Sequence, residues 1–365
     1  MSNYTPSSIY PNEPNSITDV MFANPDGIHA SSMARQAIIN GNFNVWQRGT
    51  SFNNPSTPQF TADRYFNSSN ADGGVFPTTV THSQLTLTPG DIANSYYGYR
   101  INYSDAGSGF GVNSSYGIFQ RIEYGTRLLC GAGKKIALSF WARSSVSNKK
   151  IGVSVSQRYG SGGSPSGNEL LGGSTFTLTS NWTRYTAVFN TNTLTGKTFG
   201  TSNNDYLQIG LLVMWGATSG GTFGLTGTEG FGAAGNVDIA QVQVCAGSEA
   251  IPFSPRLVPE ELELCHRYFR VGGFSAFGRW DSATAAQVFS QFDVPMRVAP
   301  TISLNTTTPT FSEVGVTNRT GSGSTITGQN TSETGFQVFV NGFTGATAGN
   351  MAAVLSNPFN IDAEL

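Results

Sequence analysis

Apolar and polar residues alternate with a period of two along several stretches of this chain. Ile136, Leu138, Phe140 and Ala142 alternate with Lys135, Ser139 and Arg143, and Ile151, Val153 and Val155 with Gly152, Ser154 and Ser156. Alternation of this kind predicts strands with one buried and one wet face. Leu207, Ile209, Leu211 and Val213 continue it, although Leu212 and Met214 make that strand apolar on both faces. Glycine- and serine-rich clusters at Gly160–Gly163, Gly172–Ser174 and Ser219–Gly221 break the pattern and predict turns. Short strands at this spacing predict a β-sandwich over residues 37–257.

The two flanks read differently. Residues 1–36 carry Pro6, Pro11, Pro14 and Pro25 and hold no period for long, so they predict an extended arm. Such an arm can order by laying its backbone on a partner, with Ile17, Val20, Met21 and Phe22 as its candidate docking side chains; a simple disordered tail is the alternative. After the stiff connector Ile251–Pro255, Pro259, Glu260 and Glu261 open a short helix with acids at its positive end. Leu262, Cys265 and Phe269 fall on one helical face, and Gly272 is positioned to stop the helix. β signals return in a second, smaller domain at 258–365, with Val288, Phe292 and Val294, then Thr301–Leu304, then Phe336, Val338 and Val340. The polar run Thr317–Thr334 reads as long turns. The expectation is an all-β chain of 365 residues with one short helix at the junction.

Composition narrows the chemistry. Only 12% of residues are charged, against 44 glycines and 12% aromatics, and the formal net charge is −2. A near-neutral chain offers no basic face for nucleic acid. No apolar run reaches the roughly 18 residues a spanning helix needs, so no membrane insertion is expected. The first residues show neither a basic head nor an apolar run, so no signal peptide is expected. Cys130, Cys245 and Cys265 are odd in number and form no CxxC pair, and His29, His82 and His266 are scattered. Buried thiols are expected, with no disulfide framework and no metal cluster.

Five segments in order carry a resemblance. Asn40–Thr50 (NGNFNVWQRGT) is followed by Ala62–Tyr65 (ADRY), then Leu138–Arg143 (LSFWAR), Trp182–Thr186 (WTRYT) and Asp238–Val244 (DIAQVQV) with Pro252 and Phe253 behind it. This order resembles the carbohydrate-binding-module-like jelly rolls of bacteriophage tail-fibre proteins. Glu263–Phe269 and Val294–Thr301 resemble the C-terminal part of such fibre proteins, so the likeness covers roughly residues 37–305. It implies a jelly-roll β-sandwich in a virion protein made in the host cytoplasm and commonly a homotrimer; the N-terminal arm lies outside the resemblance, and its expected role is docking to other virion proteins. It also implies contact with host-surface glycans, and a tail-fibre or adhesin role in attachment. A head-fibre, collar or baseplate part with no host contact, a polysaccharide-degrading tailspike and a cellular carbohydrate-binding module are the alternatives.

Sugar rings stack their C–H faces on aromatic side chains. Tyr96, Tyr97, Tyr99, Tyr116, Tyr159, Trp215 and Trp280 are the candidate platforms, with core or interface packing as the simpler role of each, while Trp46, Phe140 and Trp182 are assigned to packing. A structural calcium ion is implied only by the resemblance, with Asp63, Asp72 and Asp238 as possible ligands and turn-capping as their simpler role. No other cofactor is expected. Glu123, Glu169, Asp205 and Glu229 are not paired by the sequence as a glycosidase would require, and no G-x-S-x-G elbow is present. No catalytic residue is therefore assigned, and no enzyme activity is expected.

Overall fold

The computed structural model describes residues 34–273 and 276–365. The arm candidates Ile17, Val20, Met21 and Phe22 lie outside the described residues. The chain forms two compact units, the first ending at Arg256 and the second spanning Leu257–Leu365.

The first unit is built from strands whose inward residues the period-two pattern marks. One six-stranded sheet runs β1 (Ser51–Asn53), β4 (Val80–Thr86), β5 (Tyr97–Tyr103), β12 (Gly235–Ala246), β7 (Lys135–Ser144) and β10 (Thr183–Asn190). The other runs β2 (Gln59–Phe60), β3 (Phe66–Asn70), β6 (Ser115–Glu123), β11 (Tyr206–Trp215), β8 (Lys150–Arg158) and β9 (Glu169–Thr177). The chain crosses repeatedly from one sheet to the other, the jelly-roll arrangement, and the paired strands are antiparallel. Ile136, Leu138 and Phe140 of one sheet share a single core with Ile122, Val153, Leu207 and Ile209 of the other. Two one-turn helices, α1 (Gly125–Leu129) and α2 (Ala217–Thr222), sit in the connections.

The segment Asn40–Tyr65 is a knot that ties the entering chain to the sandwich. Asn40 Nδ2 donates to the carbonyls of Val45 (2.8 Å) and Asp63 (3.1 Å), and its Oδ1 accepts the Val45 N–H (3.0 Å). Trp46 Nε1 donates to the Phe43 carbonyl at 2.9 Å, and Arg64 Nη2 to the Arg121 carbonyl at 2.7 Å. Gly41 has no alternative here, since a Cβ would stand 2.2 Å from the Val242 carbonyl oxygen. Asn40, Gly41, Trp46 and Arg64 of this motif thus serve packing and hydrogen bonding.

A polar bridge crosses the apolar core. His82 on β4 accepts or donates through Nδ1 to the Tyr99 hydroxyl (2.6 Å) and through Nε2 to the Tyr116 hydroxyl (2.8 Å). Thr61 Oγ1 lies 2.6 Å from the Tyr99 hydroxyl. His82 and Tyr99 belong to one sheet and Tyr116 to the other, so the chain of hydrogen bonds joins the two layers. A buried polar group without partners costs about 1–3 kcal/mol, and here each ring nitrogen is paired.

The second unit has a three-stranded sheet, β13 (Phe269–Gly272), β22 (Phe359–Asp362) and β16 (Thr301–Leu304). Its larger sheet has seven strands, in the order β18 (Thr317–Thr320), β17 (Thr310–Glu313), β21 (Met351–Val354), β14 (Phe277–Trp280), β15 (Ala285–Gln291), β20 (Gly335–Asn341) and β19 (Ile326–Ser332). Trp280, Phe311, Phe336, Val338, Phe343 and Ile361 form its own core.

Two expectations need correction. Thr317–Thr334 contains β18 and β19 rather than long turns alone. Both are edge strands of mostly exposed residues, so no apolar period marks them, and β-branched threonine suits the extended backbone. The junction helix, α3, spans Val258–His266 and ends at Arg267, so Gly272 does not stop it and Phe269 already belongs to β13. All three cysteines are buried thiols in no disulfide, and burial pushes the Cys130 thiol up to about 12.

Burial of His82 lowers its pKa from 6.5 to about 3, so it folds neutral. The unfolded chain binds this proton below pH 6.5 and the folded chain does not until about pH 3. The stabilisation is thus complete above pH 6.5 and is lost as pH falls, at up to about 1.4 kcal/mol per pH unit. Denaturant titrations at pH 7 and pH 5 are expected to show this loss for the first unit. His82→Phe removes the partner of the Tyr116 hydroxyl and leaves Tyr99 only Thr61, costing about 2 kcal/mol at pH 7, and is expected to flatten the slope between these pH values. An unchanged slope would assign it to other groups.

Candidate functional site

Most of the aromatic platforms expected from the sequence are not on the surface. Tyr99, Tyr116, Tyr159, Trp215 and Trp280 are all buried, with exposures between 0% and 3%, and a ring with no open face cannot stack on a sugar. Tyr99 and Tyr116 belong to the polar bridge, and burial raises the pKa of each hydroxyl. Tyr159 donates to Glu169 Oε2 at 2.5 Å and accepts from Gln157 Nε2 at 2.9 Å, a closed local network. Trp215 lies beneath α2, where a Cβ on Gly220 would stand 2.7 Å from its Cδ1. Trp280 packs edge-on against Phe343 in the second core, with ring centres 5.0 Å apart. Tyr96, 76% exposed, and the half-buried Tyr97 keep accessible surface at the start of β5. Trp46 and Phe140 are buried as assigned, while Trp182 is half-buried beside Trp141 with the Arg143 guanidinium 4.7 Å from its ring.

The candidate acids have partners of their own. Asp238 is clamped by two arginines: Arg100 Nε donates to Oδ1 (2.7 Å), Arg100 Nη2 to Oδ2 (2.8 Å), and Arg143 Nε to Oδ2 (2.9 Å). Those cations occupy the oxygens a calcium ion would need. Asp63 accepts from the Gln47 backbone N–H (2.9 Å) and Nε2 (2.5 Å), and Asp72 from the Asn113 N–H (2.7 Å). The three aspartates thus act as local hydrogen-bond anchors, and among the described residues no group of three His, Cys, Asp or Glu is placed to hold a metal. Glu169 pairs with Lys197, Asp205 with Arg127 (2.8 Å) and Glu229 with Lys149 (3.2 Å).

Residues of a different kind converge on the outer face of the second sheet. Strand parity turns Ile118 and Ile122 of β6, Ile209 and Leu211 of β11, and Val153 and Val155 of β8 into the core. The residues between them must face outward. Antiparallel register then lines them up in rows. Glu123, Tyr206 and Arg158 form one, Arg121, Gln208 and Ser156 the next, and Phe66, Phe119, Gly210 and Ser154 the third. Phe60 extends the third row from β2.

Aromatic faces hold the cations in place. The Arg121 guanidinium stands 4.7 Å from the Phe66 ring centre and 5.2 Å from that of Tyr206, and Arg48 stands 5.0 Å from Phe60. Such stacking is worth about 0.5–1 kcal/mol per contact and fixes the plane of the guanidinium. Phe66 and Phe119 stack at 5.7 Å. Arg158 Nε donates to Ser156 Oγ at 3.0 Å. Ser154 and Ser156 are 5% and 7% exposed although they face away from the core, so the centre of this face is recessed. Phe223 and Leu225, following α2, wall one end together with Leu212 and Trp215.

The rows offer fixed donors from Arg121, Arg158 and Gln208, an acceptor from Glu123, and ring surface from the half-buried Tyr206, while Phe66 and Phe119 are buried beneath them as support. Planar amides and guanidiniums beside aromatic rings suit a hydroxyl-rich ligand with apolar C–H faces. None of these residues except Glu123 stood out in the sequence. The available signal was parity: the outward positions of strands whose inward positions are clearly apolar.

No protein-family model matches this sequence, and no curated protein matches it. Among solved structures, tailspike protein 4 of bacteriophage CBA120, in its enzymatically active domain, aligns at 12% identity over 58% of this chain, with TM-score 0.32; the chain spans 22% of that one. A family 11 carbohydrate-binding module from Clostridium thermocellum aligns at 10% identity over 55% of this chain and 98% of its own, with TM-score 0.30. The N-terminal cellulose-binding domain of a Cellulomonas fimi β-1,4-glucanase aligns at 13% identity over 50% and 96%, with TM-score 0.28.

Gly210 sets the floor of the third row, because a Cβ there would stand 2.5 Å from Cε1 of Phe119. Gly210→Ala is expected to displace that ring and cost about 1–3 kcal/mol by overpacking. Denaturant unfolding measures the loss, and a change below about 0.5 kcal/mol would mean that Phe119 moves freely.

Proposed function

We propose that this chain is a glycan-binding attachment protein, and that the outer face of the second sheet of its sandwich is the binding surface. The observation that carries the proposal is the recessed set of rows on the outer side of four adjacent strands, in which Arg121, Gln208, Arg158 and Glu123 surround Tyr206 while Phe66 and Phe119 pack beneath. Neighbouring strands stand about 4.8 Å apart, close to the length of one pyranose unit. An oligosaccharide laid across the strands therefore meets a new strand with each sugar. A shallow open face of this kind gives weak single contacts, and several copies acting together raise the effective affinity.

The place of this function is a phage particle, with the protein serving as a tail fibre or adhesin component on the virion. That part of the reading is supported by the ordered sequence segments between Asn40 and Thr301. A homotrimer, with residues 1–36 docking on other virion proteins, completes it. The chain binds and does not cleave. Glu169, Asp205 and Glu229 are each held by a cation of their own, which leaves Glu123 without an evident second carboxylate on the proposed face.

Fluorescently labelled full-length protein is expected to bind its host cells saturably and to lose that binding when the surface polysaccharide is stripped. Arg121→Ala and Tyr206→Ala are each expected to weaken binding about tenfold, or about 1.4 kcal/mol, with the fold retained by circular dichroism. No reducing ends are expected to appear from the polysaccharide. Folded protein in its native oligomer that fails to bind would turn the reading to a purely structural virion role. Release of reducing ends would make it a degrading tailspike.

A further inference from the structure

We propose that the second unit holds a separate small-ligand site, an eyelet between strands β16 and β19 that takes an uncharged, hydroxyl-rich ligand of one or two sugar rings. Among the described residues each strand is the edge of its sheet: β16 pairs only with β22, and β19 only with β20. Edge strands side by side ordinarily pair or are kept apart by bulk. These two are tied at both ends and open between. At one end the Ile302 N–H donates to Gln329 Oε1 at 2.9 Å. At the other, the Ser324 N–H donates to the Thr307 carbonyl at 2.9 Å. Between the ties lies a cleft of about 700 Å³, with Ser303, Leu304, Asn305 and Thr306 on one side and Thr325 and Ile326 on the other.

The opening is held by the surrounding backbone. The Gly321 N–H donates to the Pro309 carbonyl and the Ser322 N–H to the Gly342 carbonyl, each at 2.8 Å, which fixes the segment leading to Ser324. Gly342 has φ 93°, and a Cβ there would stand 2.7 Å from Ser324 Oγ, so glycine is required for this approach. Thr325 is anchored by its N–H and Oγ1 to Asn341 Oδ1, at 2.9 and 2.8 Å, and Asn305 Nδ2 by the Asn357 carbonyl at 2.8 Å.

The lining chooses the ligand class. It contains hydroxyls, amides and three aliphatic side chains but no ionisable group. A charged ligand would lose water there and gain no counter-charge. A peptide adding itself as a strand needs an edge that runs free, whereas this one is closed at Ile302 and at Thr307. A compact polyol fits: Leu304 and Ile326 meet its C–H faces, and the hydroxyl and amide groups meet its oxygens. The volume lies within the about 300–1,000 Å³ usual for small-ligand sites. The site is independent of the sandwich face and does not rest on that reading.

The test uses the full chain with isotope-labelled isoleucine and leucine methyl groups, titrated with glucose, galactose, N-acetylglucosamine, cellobiose and, as the charged probe, glucuronic acid. At least one neutral sugar is expected to shift Ile302, Leu304 and Ile326 saturably, with a dissociation constant on the order of 1 mM. Glucuronic acid is expected to leave them in place. Thr325→Trp, at an exposed position, is expected to weaken the response about tenfold while the other methyl signals stay as in the parent, and Arg121→Ala to leave it unchanged. No saturable shift with any neutral sugar in protein whose second-unit methyl spectrum is intact would overturn the site. So would an equal response to glucuronic acid, or indifference to Thr325→Trp.

Discussion

The burial of Ile122, Leu207, Ile209 and Val155 against the opposite sheet fixes what stands on the far side of their strands. Side chains alternate across a strand, so a slip of one residue in β11 would drive Gln208 and Gly210 inward and force Ile209 into water. Moving several aliphatic side chains out of the core costs about 1.5–3 kcal/mol each, which pins the register. The outward rows are thus a product of the inward ones. Arg121 faces Gln208, and Gln208 faces Ser156, because Ile122, Leu207 and Gln157 are held on the other side. Binding chemistry on such a face needs no mobile loop to position it.

The core that imposes this order is not wholly apolar, and its polar members serve as specific links between layers. The His82 chain joins β4 and β5 to β6 through two tyrosines. Lys149 is similarly enclosed, donating to the Val213 carbonyl (2.5 Å), to the Gly230 carbonyl and to Glu229 (3.2 Å). Burial drops its pKa to about 8, and the nearby Glu229 carboxylate opposes that fall. Groups of this kind add little net energy over an apolar replacement, but they penalise any packing in which their partners are missing. In a sandwich whose two faces are both rich in Ile and Val, that penalty discriminates between sheet registers that hydrophobic burial alone leaves close in energy.

The sequence made the sandwich strands legible because their apolar period is local. β7, β8 and most of β11 could be read from four or five residues each. Parity also placed Tyr99 with Ile101 and Tyr116 with Ile118, on the buried side, so their burial was available to a reader who put period before residue type. Trp215 was not readable in this way. An irregularity between Leu212 and Met214 shifts the parity of β11, so Met214 turns into the main core and Trp215 turns outward beneath α2. The rows of the proposed site were illegible for another reason. Arg121, Gln208 and Ser156 come from three strands far apart in the chain, and only the pairing register brings them side by side. The polar strands β18 and β19 gave no period because neither has a continuous buried face.

The two proposed surfaces differ in how the fold supplies polar groups to a ligand. On the sandwich face the backbone is consumed in the sheet, so recognition falls to side chains that stand upright from it and are held by stacking, as Arg121 is between Phe66 and Tyr206. In the eyelet of the second unit two strands run beside each other without pairing between their ties, so the lining combines edge backbone with short side chains. Long side chains adapt to different sugars at an entropic cost of about 1–2 kcal/mol each when ordered. Short ones on a fixed frame pay little of that cost and tolerate fewer shapes. A face of the first kind suits a long polymer met in many orientations, and a closed frame of the second kind suits a single terminal or side-branch sugar. A chain with both would read a polysaccharide at two levels: its backbone across the sheet and its appended residues in the eyelet.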